Sequence, residues 1–264
     1  MSYKDVVVEL LGNSSLTAKK HFGKVTSSVK PGDNNQVLTE ADLEIGSYLV
    51  GKIQEFYPDH NVIDEESGIK DKKSEYTWVI DPIDGTSNFA MGLPMYGVII
   101  GLLDKGAPVV GGVALPFFDE LYYAEKGKGA FRNGDGISVS KETSLIKTLV
   151  AYGIDSRQDN PDFTKKEMAI LGNIINNIQN LRCSNSVYDA MLVASGKFGA
   201  YINQRMRIWD VVGPQVIIEE AGGIVTDFYG SKLDYSEPIE KAKEHFTYFS
   251  ASSNLYPELL RLTK

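Results

Sequence analysis

Two aspartates three residues apart stand at the end of an apolar run, in Trp78-Val-Ile-Asp81-Pro82-Ile83-Asp84-Gly85-Thr86-Ser87-Asn88-Phe89. Carboxylates converging on such a point suit a hard divalent cation, which takes oxygen ligands. Pro82 stiffens the turn and Gly85 frees it. Gly85 and Thr86 then offer backbone N–H groups that can cradle phosphate oxygens. Asp-Gly alone is a common turn pair; the strand, the proline and the second aspartate favour a binding site. Asp64-Glu65-Glu66-Ser67-Gly68 ends another β-rich run, although such acidic triplets are usually solvated loops. Asp42 lies in Thr39-Glu40-Ala41-Asp42 at the head of a helical pattern. There Thr39 can cap the helix while Glu40 and Asp42 complement its dipole. Asp210 follows Trp209 at the start of an apolar helix, again a locally favourable place for an acid. Each acid has a structural explanation of its own; their combination points to chemistry.

The rest of the chain bounds that chemistry. Its 264 residues suit one large domain or two closely packed halves. Lys and Arg number 27 against 35 Asp and Glu, a formal net charge of −8. That excess argues against nucleic acid and against an anionic membrane as partners. A small anionic substrate stays open, because local charge can oppose the global sign. Cys183 is the single cysteine, which excludes an intramolecular disulfide and a thiolate zinc cage. The N-terminal residues lack the pattern of a signal peptide. The longest apolar uncharged stretch, Met91 to Leu103, is too short for a bilayer. A soluble, cytoplasmic protein is expected.

The elements that must hold the acids are readable as patterns. Apolar residues from Tyr3 to Phe22 predict a helix with a weak point at Gly12-Asn13, and Ala41, Ile45, Tyr48, Leu49, Ile53 and Phe56 predict a second, ending at Tyr57-Pro58. The polar segment from Ser27 to Asn35 between them reads as a mobile loop. Strands are expected at 61–64, 77–81, 96–103, 108–115, 120–124 and 130–132, as an antiparallel meander. Beyond residue 145 the order alternates. Strands at 149–152, 180–183, 200–202, 224–226 and 248–251 are interleaved with helices at 162–176, 186–195 and 209–221, and a last helix begins at Tyr256. This pattern predicts an α+β half (1–145) packed on an α/β half (146–264).

Thr39-x-x-Asp42, Asp64-Glu65-Glu66-Ser67, Asp81-Pro-Ile-Asp-Gly-Thr86 and Trp209-Asp210 followed by Glu220-Ala-Gly-Gly223 together resemble the inositol monophosphatase family. Gly127-Lys-Gly-Ala130 with Asn133-Gly134 resembles its hairpin between the main motifs. The resemblance implies a layered αβαβα sandwich of the inositol monophosphatase and fructose-1,6-bisphosphatase type, usually homodimeric. It also implies hydrolysis of a small phosphorylated substrate with two or three Mg²⁺ ions, and inhibition by Li⁺. Glu65, Asp81, Asp84, Asp210 and the Ile83 carbonyl would be metal ligands. Asp42 and Thr86, with Glu65, would orient the attacking water. Cations about 3.5–4 Å apart can hold both the nucleophile and the leaving oxygen of an in-line displacement, so no histidine base is required. His21, His60 and His245 take structural or surface readings.

The substrate would meet Asp84, Gly85, Thr86 and Ser87 at its phosphate end. The family's polyol-binding positions match Asn185, Ser186, Val187 and Asn203. Asn203 replaces a glutamate of the family pattern, which weakens the case for inositol phosphate in particular. Arg205 and Arg207 stand at strand spacing on one face, and either could meet a second anionic group. Asp155 and Arg157 could also reach the pocket. Fructose 1,6-bisphosphate and histidinol phosphate are the alternative substrates. A haloacid-dehalogenase-type site is disfavoured by its different Asp-x-Asp spacing, and no Gly-x-Ser-x-Gly of a serine hydrolase is present. A catalytically silent metal-binding regulator is the alternative of another class.

Overall fold

The computed structural model describes residues 2–24, 27–29, 37–155 and 160–263. Arg157 and residues 30–35 of the expected loop lie outside the described residues. The elements run α1 (Tyr3–His21), β1 (Ser27–Val29), β2 (Val37–Thr39), α2 (Glu40–Phe56), β3 (Asn61–Asp64), β4 (Gly68–Lys70), β5 (Tyr76–Asp84) and α3 (Thr86–Ala90). They continue with β6 (Gly97–Asp104), β7 (Ala107–Leu115), β8 (Glu120–Glu125), β9 (Ala130–Arg132), β10 (Asp135–Gly136) and β11 (Leu149–Gly153). The remainder is α4 (Pro161–Ile175), β12 (Asn180–Arg182), α5 (Val187–Ala194), β13 (Ala200–Met206), α6 (Ile208–Glu220), β14 (Gly223–Thr226), α7 (Pro238–Lys241), β15 (Phe246–Ser252) and α8 (Tyr256–Leu262).

An eight-stranded sheet has the order β10-β9-β8-β7-β6-β5-β3-β4. It is the expected antiparallel meander from β5 onward, with β3 parallel to β5. A five-stranded sheet, β12-β11-β13-β15-β14, is parallel at β12, β11 and β13 and antiparallel beyond. Helices α1 and α2 cover the outer face of the large sheet through Val7, Leu10, Leu11, Ile45, Leu49, Trp78 and Ile100. Helices α5 and α6 fill the space between the sheets, where Val79, Ile99 and Val113 meet Met191, Val212 and Tyr248. Helices α4 and α8 cover the far face of the small sheet. The layers are therefore αβαβα, as expected.

Several expectations are corrected. Gly12-Asn13 does not interrupt α1: a Cβ at Gly12 would meet nothing within 4 Å, and the Asn13 amide donates to the Tyr48 hydroxyl of α2 at 2.7 Å. Interhelical packing outweighs the modest helix penalty of one glycine. Strand β5 runs past Asp81 to Asp84, absorbing Pro82 at a register shift against β6. Strand β13 continues past residue 202 to Met206, with a similar shift against β15. The Glu220 carboxylate accepts the Gly127 and Gly129 N–H groups, each at 2.7 Å, so it pins the β8–β9 hairpin to the end of α6.

Candidate active site

The chain brings the acids together from three layers. Asp81 and Asp84 lie on either side of the shift in β5. Asp210 enters from the first turn of α6, where its Oδ2 accepts the Arg207 N–H at 2.6 Å. One carboxylate oxygen from each of the three lies within 4.8 Å of the others. Asp42 caps α2: its Oδ2 accepts the Thr39 N–H at 2.8 Å and the Thr39 hydroxyl at 2.5 Å. Its Oδ1 faces the Thr86 hydroxyl at 3.4 Å, and that hydroxyl donates to the Ile83 carbonyl at 2.8 Å. Glu65 follows β3, with its N–H donating to the Ile80 carbonyl at 3.2 Å.

Gly85 is in the left-handed region at φ +80°, and a Cβ there would come to 2.8 Å from the Ser186 Cβ. Only glycine serves both demands at no steric cost. The cleft above it has a volume of about 290 Å³; Glu65, Asp81, Ile83, Asp84 and Asp210 line it on one side, Arg205 and His245 elsewhere.

Burial dominates the electrostatics. Asp81 is 2% exposed, and burial, then Glu65, Asp84 and Asp210, pushes its carboxyl well above the usual range. Asp210 is raised likewise by burial and by Asp84 and Glu65. Asp84 is pushed up to about 7, by burial before the nearby Glu65, Asp189 and Asp155; the Val187 N–H, donating to its Oδ2, opposes the shift. Asp42 reaches about 6 because it is buried and near Glu65. Asp81 Oδ1 is buried and meets no donor among the described residues. Crowded, buried carboxylates are relieved by protons or by a cation, and an all-oxygen donor set of this kind fits a divalent metal.

Ser186 and Asn203 line the cleft as expected. Asn185 also borders it, but its side chain clips the end of β11: Oδ1 accepts the Ile154 N–H, and Nδ2 donates to the Ile154 carbonyl and to Asp155. The Val187 side chain is packed in the central core, so only its N–H reaches the site. Arg205 and Arg207 both border the cleft, and both meet the segment 243–245. Arg205 Nε donates to His245 Nε2 at 3.0 Å, whereas Arg207 Nη1 donates to the Lys243 and Glu244 carbonyls. His245 is thus a cleft residue, against the surface reading, while His21 pairs with Glu44 and His60 stacks between Tyr57 and Tyr76. Sequence reasoning missed Tyr201, whose hydroxyl accepts from Asn203 Nδ2 at 3.2 Å in the cleft. It also missed Asn88, whose Nδ2 ties the Met95 carbonyl to that of Ser184. Tyr201 carries no spacing that signals chemistry, whereas Asn88 stands four residues after Asp84 in the stretch that ends at Phe89.

The description of the inositol monophosphatase family matches residues 3–254. The chain belongs to that family. It is 35% identical over 214 residues to the fructose-1,6-bisphosphatase/inositol-1-monophosphatase of Aquifex aeolicus, covering 79% of each chain. It is 34% identical over 198 residues to Nus factor SuhB of Pasteurella multocida, covering 74% of this chain and 73% of the relative. Among solved structures, the IMPase of Thermotoga maritima superposes with a TM-score of 0.87 at 30% identity, covering 100% of this chain and 97% of that one. Membership makes the chain a phosphoric monoester hydrolase of the inositol monophosphatase type and implies a divalent metal, which the acidic cluster can hold. Among the described residues no helix is long and apolar enough to cross a membrane.

Proposed function

We propose that the chain hydrolyses a small phosphomonoester, inositol monophosphate or a related sugar or polyol phosphate, with Mg²⁺ as its metal. The observation that carries this reading is the convergence of carboxylate oxygens from Asp81, Asp84 and Asp210 within 4.8 Å of one another. Glu65, Asp81, Asp84, Asp210 and the Ile83 carbonyl would hold the ions. Bound there, magnesium supplies positive charge for the phosphoryl oxygens and lowers the pKa of a water molecule. Thr86, held between Ile83 and Asp42, orients that water. Asp42 Oδ1, on a carboxyl raised to about 6, can take up a proton near neutral pH. The N–H groups of Gly85, Thr86 and Ser87 receive the phosphate, and Ser186, Asn203 and the Tyr201 hydroxyl meet the polyol. Residues 1–145 thus contribute most of the metal set, and 146–264 contribute Asp210 and the polyol side. The same reading includes Li⁺ inhibition and a cytoplasmic homodimer.

Phosphate release with and without Mg²⁺ tests it, on inositol monophosphate, fructose 1,6-bisphosphate, histidinol phosphate and adenosine 3′,5′-bisphosphate. Mg²⁺-dependent release from at least one is expected. No release from any would favour the silent regulatory homologue, against which Asp42, Glu65, Asp81, Asp84, Thr86 and Asp210 are all present.

One observation favours a second substrate reading, fructose 1,6-bisphosphate: Arg205, its Nε donating to His245, brings a guanidinium to the same cleft. Arg205→Ala is expected to lower kcat/KM about 10-fold more on the bisphosphate than on inositol monophosphate, the worth of one charge-assisted contact. Arg207→Ala should affect both alike, because its guanidinium braces main-chain carbonyls. Equal losses at Arg205 would count against a second anionic group.

A further inference from the structure

Asp64 precedes Glu65, yet its carboxylate is turned away from water, 1% exposed. Oδ2 accepts the Ser67 N–H at 2.7 Å, which closes the tight turn bearing Glu65 and Glu66. Oδ1 is buried and meets no donor among the described residues. The carboxylate lies beside Gly46 of α2, which also stands close to Pro82. A Cβ on Gly46 of α2 would stand 3.3 Å from both of its oxygens and 3.1 Å from Cγ of Pro82. An apolar side chain here would leave the Ser67 N–H without its acceptor, so the acid's local task is to hold the shape of the turn.

We propose that Asp64 is a positioning residue: by closing the 64–67 turn through the Ser67 N–H, its carboxylate aims Glu65 at the metal. The N–H of Glu65 is already fixed on the Ile80 carbonyl, next to Asp81. Closure of the turn sets the backbone direction from which the Glu65 side chain leaves β3. The inference rests on the reading of Glu65 as a ligand.

The test is a Mg²⁺ titration followed by thermal shift on the full chain, read as the Mg²⁺ concentration giving half of the maximal rise in Tm. Asp64→Ala should raise that midpoint at least 10-fold, in the range seen when a group supporting a metal ligand is removed. Asp64→Asn keeps an oxygen for the Ser67 N–H and should stay within about 3-fold of the unaltered chain. In a Glu65→Ala background, adding Asp64→Ala should shift the midpoint by less than about 3-fold, because the residue through which it acts is gone. An unchanged midpoint in Asp64→Ala would overturn the proposal, as would Asp64→Asn behaving like Asp64→Ala, or full additivity with Glu65→Ala. If the unaltered chain shows no rise in Tm with Mg²⁺, the metal reading itself fails, and this inference with it.

Discussion

Asp210 shows what burial does to a single acid. It sits in the first turn of α6 with one oxygen bound to the Arg207 N–H, and its neighbours Asp84 and Glu65 repel its charge. Asparagine can still accept the Arg207 N–H while removing that repulsion. Asp210→Asn is therefore expected to cut phosphate release about 100-fold or more while the metal-free protein melts no lower than the unaltered chain. Activity assays and thermal melts in EDTA check both halves. A clear fall in the metal-free Tm would show that the carboxylate is structural. At this scale the sequence was informative about identity and poor about direction. The spacing of Asp81, Asp84, Thr86 and Asp210 marked the cleft. Nothing in the spacing of Asn185 or Val187 told that one side chain clips β11 and that the other is buried in the core. The same holds for His245, which meets Arg205 across 40 positions of sequence.

Helix α6 holds Asp210 over β5 by lying almost on the backbone of the large sheet. A Cβ on Gly111 of β7 would come to 2.2 Å from the Gly213 carbonyl oxygen, and one on Gly213 to 2.8 Å from the Ile100 carbonyl oxygen. Backbone cannot yield as a flexible side chain would, so an added methyl must push the helix away. Gly111→Ala should destabilise the fold by roughly 1–3 kcal/mol, the usual scale for overpacking. It should also raise the Mg²⁺ concentration needed for half-maximal activity, because Asp210 moves with its helix. Urea unfolding and a Mg²⁺ titration test this; lost stability with an unchanged Mg²⁺ requirement would mean that α6 slides without moving its first turn. Most of the main elements were readable as periodicity, their ends less so. Strands β5 and β13 outran their patterns because each passes through a register shift, and such shifts depend on the neighbouring strand rather than on local sequence.

At the scale of the whole molecule the acids act on stability together. Asp42 and Asp189 are raised to about 6 and Asp84 to about 7, all chiefly by burial. Asp81 and Asp210 are raised further. The folded chain therefore binds more protons than the unfolded one at intermediate pH, and stability must fall as pH rises. For the three carboxyls with stated values the window runs from about pH 4, where unfolded aspartates ionise, to about pH 7. In EDTA, Tm should drop between pH 5 and about pH 7.5, and Mg²⁺ should restore most of the loss at the upper end, where the ligands are ionised. A metal-free Tm that is flat or rising over that interval would contradict the electrostatic account of the cluster.

The sequence by itself determined the acids and most of the elements, because each is written in residue types at short spacing or in apolar periodicity. Its motifs carried the family resemblance that implied the order of layers. It also set the net charge of −8. The tertiary structure alone decided which of those charges are concentrated in one cleft, which side chains face it, and that Arg205 and His245 meet at its edge. Carboxylates as far apart along the chain as Asp81 and Asp210 meet because two sheets clamp α6 between them. Where side chains point after such packing depends on contacts between distant segments, which no local pattern encodes.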